Sequence, residues 1–85
     1  MWSVEYSAAV AKAMGRLPRN VAGIIQRKIE GIAADPYAPN NNVIALKGEP
    51  GFRLRVGDWR VVYLLYDDTR TMVVVRIASR GSAYR

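Results

Sequence analysis

The sequence predicts an α+β domain in which two N-terminal helices pack on a small antiparallel β-sheet, in the order β-α-α-β-β-β. Three observations carry that expectation. Val21, Ile24, Ile25, Ile29 and Ile32 recur at helical spacing, with Gln26, Arg27, Lys28 and Glu30 on the other side, which is the stripe of an amphipathic helix. Phe52-Arg53-Leu54-Arg55-Val56 alternates strictly, and Gly57-Asp58 separates it from the largely apolar segment Trp59 to Tyr66, the pattern of two strands joined by a two-residue hairpin turn. Finally, 85 residues, 51% of them hydrophobic, make a single domain spanning 1–85. A chain of this length removes about 60 to 65% of its extended surface from water, so nearly all its apolar side chains must share one core.

Taken in order, Trp2 to Tyr6 alternates weakly and is expected as an edge strand. Ser7 can cap a first helix whose apolar positions Val10, Met14 and Leu17 stand at i, i+4 and i+7, with Gly15 weakening its end. A turn at Leu17-Pro18-Arg19-Asn20 leads into the second helix, and Asp35-Pro36 stops it, since a residue before proline is pushed out of the helical region. Residues 36–42 hold two Pro and three consecutive Asn and read as a loop within the domain rather than a linker. A short strand at 43–46 is expected before Lys47-Gly48. The second half continues as an antiparallel meander: strand 52–56, strand 59–66, a turn at Asp67-Asp68-Thr69-Arg70, and a Val-rich strand from Thr71 to Ser79. Trp59 to Tyr66 is apolar on both faces and is therefore expected at the centre. The helical stripes read as core rather than as a binding groove.

Composition narrows the chemistry. With neither Cys nor His, disulfides, thiolate nucleophiles, imidazole acid–base catalysis and the usual zinc sites are excluded. No metal and no cofactor are expected. The start of the chain has no basic leader or apolar segment, and the longest apolar run, Val61 to Tyr66, is too short to span a bilayer. The expectation is a soluble cytoplasmic protein without a membrane partner. The net charge is +6, with 13 Lys and Arg against 7 Asp and Glu. Residues 51–85 carry seven bases against three acids, and all seven are Arg. The planar guanidinium fork fits phosphate or carboxylate in bidentate fashion, whereas Lys would serve solubility as well. The bias points to an anionic partner.

Register places these arginines. If Gly57 and Asp58 form the turn, Arg55 lies opposite Arg60, and Arg53, Arg55 and Arg60 share one sheet face while Phe52, Leu54, Val56, Val61 and Tyr63 face the helices. Like charges opposed across a ladder destabilise by some tenths of a kcal/mol, up to about 1. An anion between them reverses the sign, so the pairing suggests a bound phosphate. The last strand is ambiguous. A four-residue loop pairing Tyr66 with Thr71 turns Arg76 toward the core beside Val61, which is costly for an unpaired charge. A slip of one residue, through a bulge or a five-residue loop, puts Val73, Val75 and Ile77 inward and Arg76 on the arginine face, and is preferred. Arg80 then follows Arg76, with Tyr84 just beyond. Lys47-Gly48 reads equally as a turn or as a phosphate contact.

The segments Leu46-Lys47-Gly48, Phe52 to Tyr63, Arg76-Ile77-Ala78-Ser79-Arg80 and Tyr84-Arg85, together with Leu17-Pro18 and Asp35-Pro36, resemble the RelE/ParE superfamily of bacterial type II toxins over essentially the whole chain. The resemblance implies a RelE-like α+β fold and a cognate antitoxin encoded beside the toxin, with a toxin–antitoxin hetero-oligomer. Within the superfamily, the RelE branch comprises ribosome-dependent mRNA endonucleases, and the ParE branch comprises gyrase inhibitors that lack the nuclease residues. Carried over, the RelE-type catalytic set falls on Arg53, Arg55, Arg60, Arg80 and Tyr84, which coincides with the face reached from register. Lys47, Arg76 and Arg85 are expected to accompany them as RNA-binding residues. RelE has Lys where Arg53 and Arg55 stand, and many relatives place His before the last Arg, where this chain has Ser79.

Three functions follow as expectations. The preferred one is an endoribonuclease acting on mRNA at the ribosome, in which the ribose 2′-oxygen attacks the adjacent phosphorus and expels the 5′-oxygen. The others are a non-catalytic gyrase inhibitor and a plain RNA-binding module, the last disfavoured because aromatic stacking platforms are sparse on the arginine face.

Overall fold

A computed structural model describes residues 1–79 of the chain. Ser7 has an extended backbone, and its Oγ accepts a hydrogen bond from the Val10 N–H at 3.2 Å, capping helix α1 (Ala8–Gly15). Helix α2 (Arg19–Ala34) begins two residues earlier than the sequence suggests. The Pro18 carbonyl already accepts from the Ala22 N–H at 3.0 Å, so Arg19 and Asn20 belong to the first helical turn and not to the connection. Proline is well suited just there, because a helix start needs no N–H from it. Asp35, at φ −155° and ψ 84°, ends the helix ahead of Pro36. No helix of the described residues is long and apolar enough to cross a membrane.

Five strands follow the order β1-β5-β4-β3-β2: β1 (Ser3–Tyr6), β2 (Val43–Ala45), β3 (Phe52–Val56), β4 (Trp59–Tyr66) and β5 (Thr71–Ser79). The meander β2 to β5 is antiparallel and β4 lies at its centre, both as expected. The weak 43–46 segment is a real strand. β1 is an edge strand, and it joins β5 in parallel, so the sheet is mixed; the helices and the meander supply the long crossover that parallel pairing requires.

The β4–β5 register resolves the ambiguity through a combination of the two options. The loop has four residues and Tyr66 pairs with Thr71, but a bulge opposite Val62 and Tyr63 leaves Val75 without a partner. Met72 and Val74 are therefore the inward residues of β5, fully buried, in place of the expected Val73 and Val75. Beyond the bulge Arg76 pairs with Val62 and Ile77 with Val61, so Ile77 faces inward and Arg76 outward as expected.

The core lies between the helices and the inner sheet face. It is built from Val10, Ile25, Ile29, Ile32 and Ala33 of the helices with Leu54, Val61, Tyr63, Met72 and Val74 of the sheet. Ile24, grouped with the core stripe by its spacing, is instead 43% exposed, because it sits at the margin of a stripe whose centre runs through Ile25, Ile29 and Ile32. Gly51 is held to glycine by its surroundings: at φ 117°, a Cβ would lie 2.9 Å from Leu64 Cδ2 and 3.0 Å from the Tyr63 carbonyl oxygen. This close approach lets the turn after β2 fold against β4.

Tyr63 is fully buried, stacks on Phe52 with ring centroids 5.5 Å apart, and has no hydrogen-bond partner for its hydroxyl. Burial pushes its pKa up to about 12. Tyr63→Phe is expected to raise stability by about 1 kcal/mol in urea unfolding, since an unsatisfied buried hydroxyl costs about 1–3 kcal/mol. The native state keeps the Tyr63 proton to higher pH than the unfolded chain, which releases it near the ordinary value of 10.0. The associated stability is whole below pH 10 and is lost as pH climbs toward 12, and Tyr63→Phe should flatten that part of the pH profile.

Candidate functional site

The site grows from the β3–β4 hairpin. Gly57 takes φ 58° while Asp58 keeps an ordinary negative φ, the φ pattern of a type II′ turn with glycine at its first central position. This turn fixes Val56 opposite Trp59 and Arg55 opposite Arg60, the register expected from the sequence. Arg53 faces Val62, which in turn faces Arg76 across β5. Arg53, Arg55, Arg60 and Arg76 thus occupy one patch on the outer sheet face, opposite the helices. Val62 lies within this patch, outside the main core, yet is only 8% exposed. Its position between Arg53 and Arg76 allows their aliphatic stems to shield it.

Arg60 is the most constrained of the four. Its Nη1 donates to the carbonyls of Gly57 at 3.2 Å and Trp59 at 3.1 Å, which holds the guanidinium over the hairpin tip. These acceptors are neutral, so the full positive charge remains. Among the described residues no carboxylate forms an ion pair with any of the four arginines.

Two adjoining depressions open beside this patch and share Asn42, Arg55 and Arg60. The smaller, about 350 Å³, is lined also by Asn41, Ile44 and Arg53. The larger, about 580 Å³, reaches across the hairpin tip to Ile24 and Lys28 of α2. The three asparagines form structure of their own: Asn40 Oδ1 accepts from the Asn42 N–H at 2.9 Å, and the Asn42 carbonyl accepts from the Arg55 N–H at 2.8 Å. This Asx turn delivers Asn42 to the flank of Arg55. Chemically, the ensemble offers several guanidinium donors, that of Arg60 held by backbone carbonyls, together with an amide and a neighbouring ammonium to an anion.

Of the expected site residues, the fold brings together Arg53, Arg55, Arg60 and Arg76. Lys47 stands apart: β2 runs antiparallel to β3 with Ala45 beside Phe52, so Lys47 lies beyond the end of the sheet away from the hairpin tip, and it lines neither depression. Arg80, Tyr84 and Arg85 lie outside the described residues. Sequence reasoning missed Asn41, Asn42, Ile24 and Lys28. The run of three Asn and the Ile24–Lys28 spacing of one helical turn were visible signals, but their meeting with Arg55 depends on contacts distant in sequence.

The opposed pair Arg55–Arg60 supplies a direct test of the like-charge argument. Arg55→Glu converts repulsion to attraction and is expected to raise stability by some tenths of a kcal/mol, up to about 1, in urea unfolding. The gain should shrink as salt is added.

Comparison with known proteins agrees with this architecture. A family model described as ParE toxin of type II toxin-antitoxin systems, parDE, matches residues 4–84. The crystal structure of the archaeal RelE–RelB complex from Pyrococcus horikoshii contains a similar chain at TM-score 0.81 and 24% identity, covering 94% of this chain and 96% of that one. The intact E. coli RelBE toxin–antitoxin complex matches at TM-score 0.80 and 17% identity, covering 93% and 96%. A YoeB/ParE toxin from Agrobacterium tumefaciens matches at TM-score 0.74 and 16% identity, covering 91% and 96%. No curated protein matches by sequence alone. At these identities the structural likenesses establish the RelE-like fold, and the family model, spanning nearly the whole chain, establishes the lineage. The protein belongs to the ParE toxin family and is a toxin of a type II toxin–antitoxin system within the RelE/ParE superfamily.

Proposed function

We propose that the protein is a ribosome-dependent mRNA endonuclease that arrests translation. The observation that carries this reading is the patch of Arg53, Arg55, Arg60 and Arg76, with Arg55 set against Arg60 and no carboxylate paired to either among the described residues. Such an arrangement stabilises a phosphate better than it stabilises the fold.

The reaction is a transesterification. The ribose 2′-hydroxyl gives up its proton, its oxygen bonds to the adjacent phosphorus, and the bond to the 5′-oxygen breaks, leaving a 2′,3′-cyclic phosphate and a protonated 5′-hydroxyl. Arg53, Arg60 and Arg80 meet the negative charge that develops on the phosphoryl oxygens, where one well-placed donor is worth about 10²- to 10³-fold. Arg55 stands where the RelE resemblance would set a general base, and a guanidinium stays protonated in proteins. Catalysis accordingly rests on orientation and charge stabilisation, with Tyr84 and ribosomal RNA as sources of proton transfer. Free RNA is then a poor substrate.

A second reading has its own support. The matching family model carries the ParE name, and an arginine patch that holds no general base among the described residues suits a non-catalytic gyrase inhibitor. In either case the expected partner is a cognate antitoxin. The relatives from Pyrococcus horikoshii and E. coli were crystallised with RelB. A partly disordered acidic segment that orders on binding would neutralise the arginine patch.

Induction without antitoxin is expected to stop translation and to cut mRNA inside ribosome-occupied coding sequence, read by sequencing new 5′ ends. Arrested supercoiling with intact transcripts would establish the gyrase reading instead. Arg55→Lys is expected to retain or increase cleavage on ribosomes, because a Lys can lose its proton when its pKa is depressed. An inactive Lys variant would show that bidentate geometry at this position outweighs basicity.

A further inference from the structure

The larger depression contains groups that phosphate neutralisation does not require. Ile24 and Lys28 stand one turn apart on the same side of α2 and line it together with Asn42, Val56 and the hairpin tip. Ile24 is among the few large apolar side chains that are well exposed. Lys28 has no ion-pair partner and the Asn42 side-chain amide no hydrogen bond among the described residues, while the Asn42 backbone is fixed by the Asx turn and by Arg55. A cation, an apolar wall and an unengaged amide, with the Asp58 carboxylate at the hairpin tip, therefore line about 580 Å³ of space directly continuous with Arg55 and Arg60, a volume in the range of small-ligand sites. The three cations Lys28, Arg55 and Arg60 outnumber the one carboxylate.

We infer that this depression is a nucleotide subsite, holding the RNA nucleotide next to the phosphate bound at Arg55 and Arg60. It rests on the endonuclease reading and extends it. Lys28 takes the flanking phosphate, Ile24 and Val56 lie against the base, and the Asn42 amide, with both a donor and an acceptor, reads a base edge. Single-stranded nucleic acid is recognised by this combination of a cationic track with a surface for the base. An acidic peptide would be served by the cations alone and would leave the apolar wall and the amide unused. The strand then runs from the arginine patch over the hairpin tip toward α2, and the subsite gives the toxin a preference at one position beside the cut.

The test is fluorescence anisotropy with the purified full chain and short labelled single-stranded RNAs differing at one base, run across a salt series beside a ribosome cleavage assay. Lys28→Ala is expected to weaken binding several-fold, equally for all sequences, and to lower the salt slope by about 0.7 to 1; Lys28→Arg should restore both. Asn42→Ala should keep the slope and level the affinities among the RNAs. RNA binding that depends on Lys28 and Asn42, in a protein that cuts nothing on ribosomes, would leave the subsite standing and remove only the endonuclease reading. If both variants bind RNA like the parent while Arg55→Ala does not, the subsite is refuted and the arginine patch retained. If Lys28→Ala weakens only an acidic peptide and no RNA, the depression is a protein-docking site and the inference is overturned.

Discussion

One unpaired residue in β5 decides whether Arg76 joins the core or the charged face that the β3–β4 hairpin has already set. Without the bulge, the four-residue loop that pairs Tyr66 with Thr71 would continue in register and set Arg76 opposite Val61, a fully buried position. An unpaired guanidinium there would have to leave water with nothing to compensate it. Adding one residue opposite Val62 and Tyr63 lets Met72 and Val74 fill the core before the bulge and Ile77 after it, and turns Arg76 outward. The same shift completes both faces, because side chains in a strand alternate with a period of two.

The two faces have opposite economies of stability. Toward the helices, apolar side chains from α1, α2, β3, β4 and β5 are buried with few polar atoms among them, Tyr6 and Tyr63 hydroxyls being left without partners. Away from them, four guanidiniums share a patch, two of them directly opposed. A sheet shaped only for stability would alternate signs across β3 and β4. The type II′ turn at Gly57-Asp58 instead enforces the like-charge pair, and Arg60 is held in place by carbonyls that leave its charge intact. Rigid positioning with uncompensated charge is the arrangement that favours an anionic ligand over an internal ion pair.

The patch is also not closed on itself. It continues past the hairpin tip to α2, because Ile24 escapes the core at the edge of its stripe and Lys28 follows one turn later. Asn42 joins from a third direction, held by hydrogen bonds to the loop and to β3. Three segments distant in the chain therefore border a single space that combines a cation, an apolar wall and an amide with the arginines.

Much of this was legible in the residues themselves. The Ile stripe of α2, the Ser7 cap, the alternation of Phe52 to Val56 and the Gly57-Asp58 turn are local signals, and each formed the element it indicates. From them alone came the helix pair, the meander and the opposition of Arg55 to Arg60, since a two-residue turn leaves only one register. Where a boundary or a face depended on another segment, the residues were silent. The parallel pairing of β1 with β5, the choice of Met72 and Val74 over Val73 and Val75, the exposure of Ile24 and the approach of Asn42 and Lys28 to Arg55 were decided by tertiary structure. Each of these is a competition for one shared core or one shared edge, and its outcome depends on partners that local pattern does not specify.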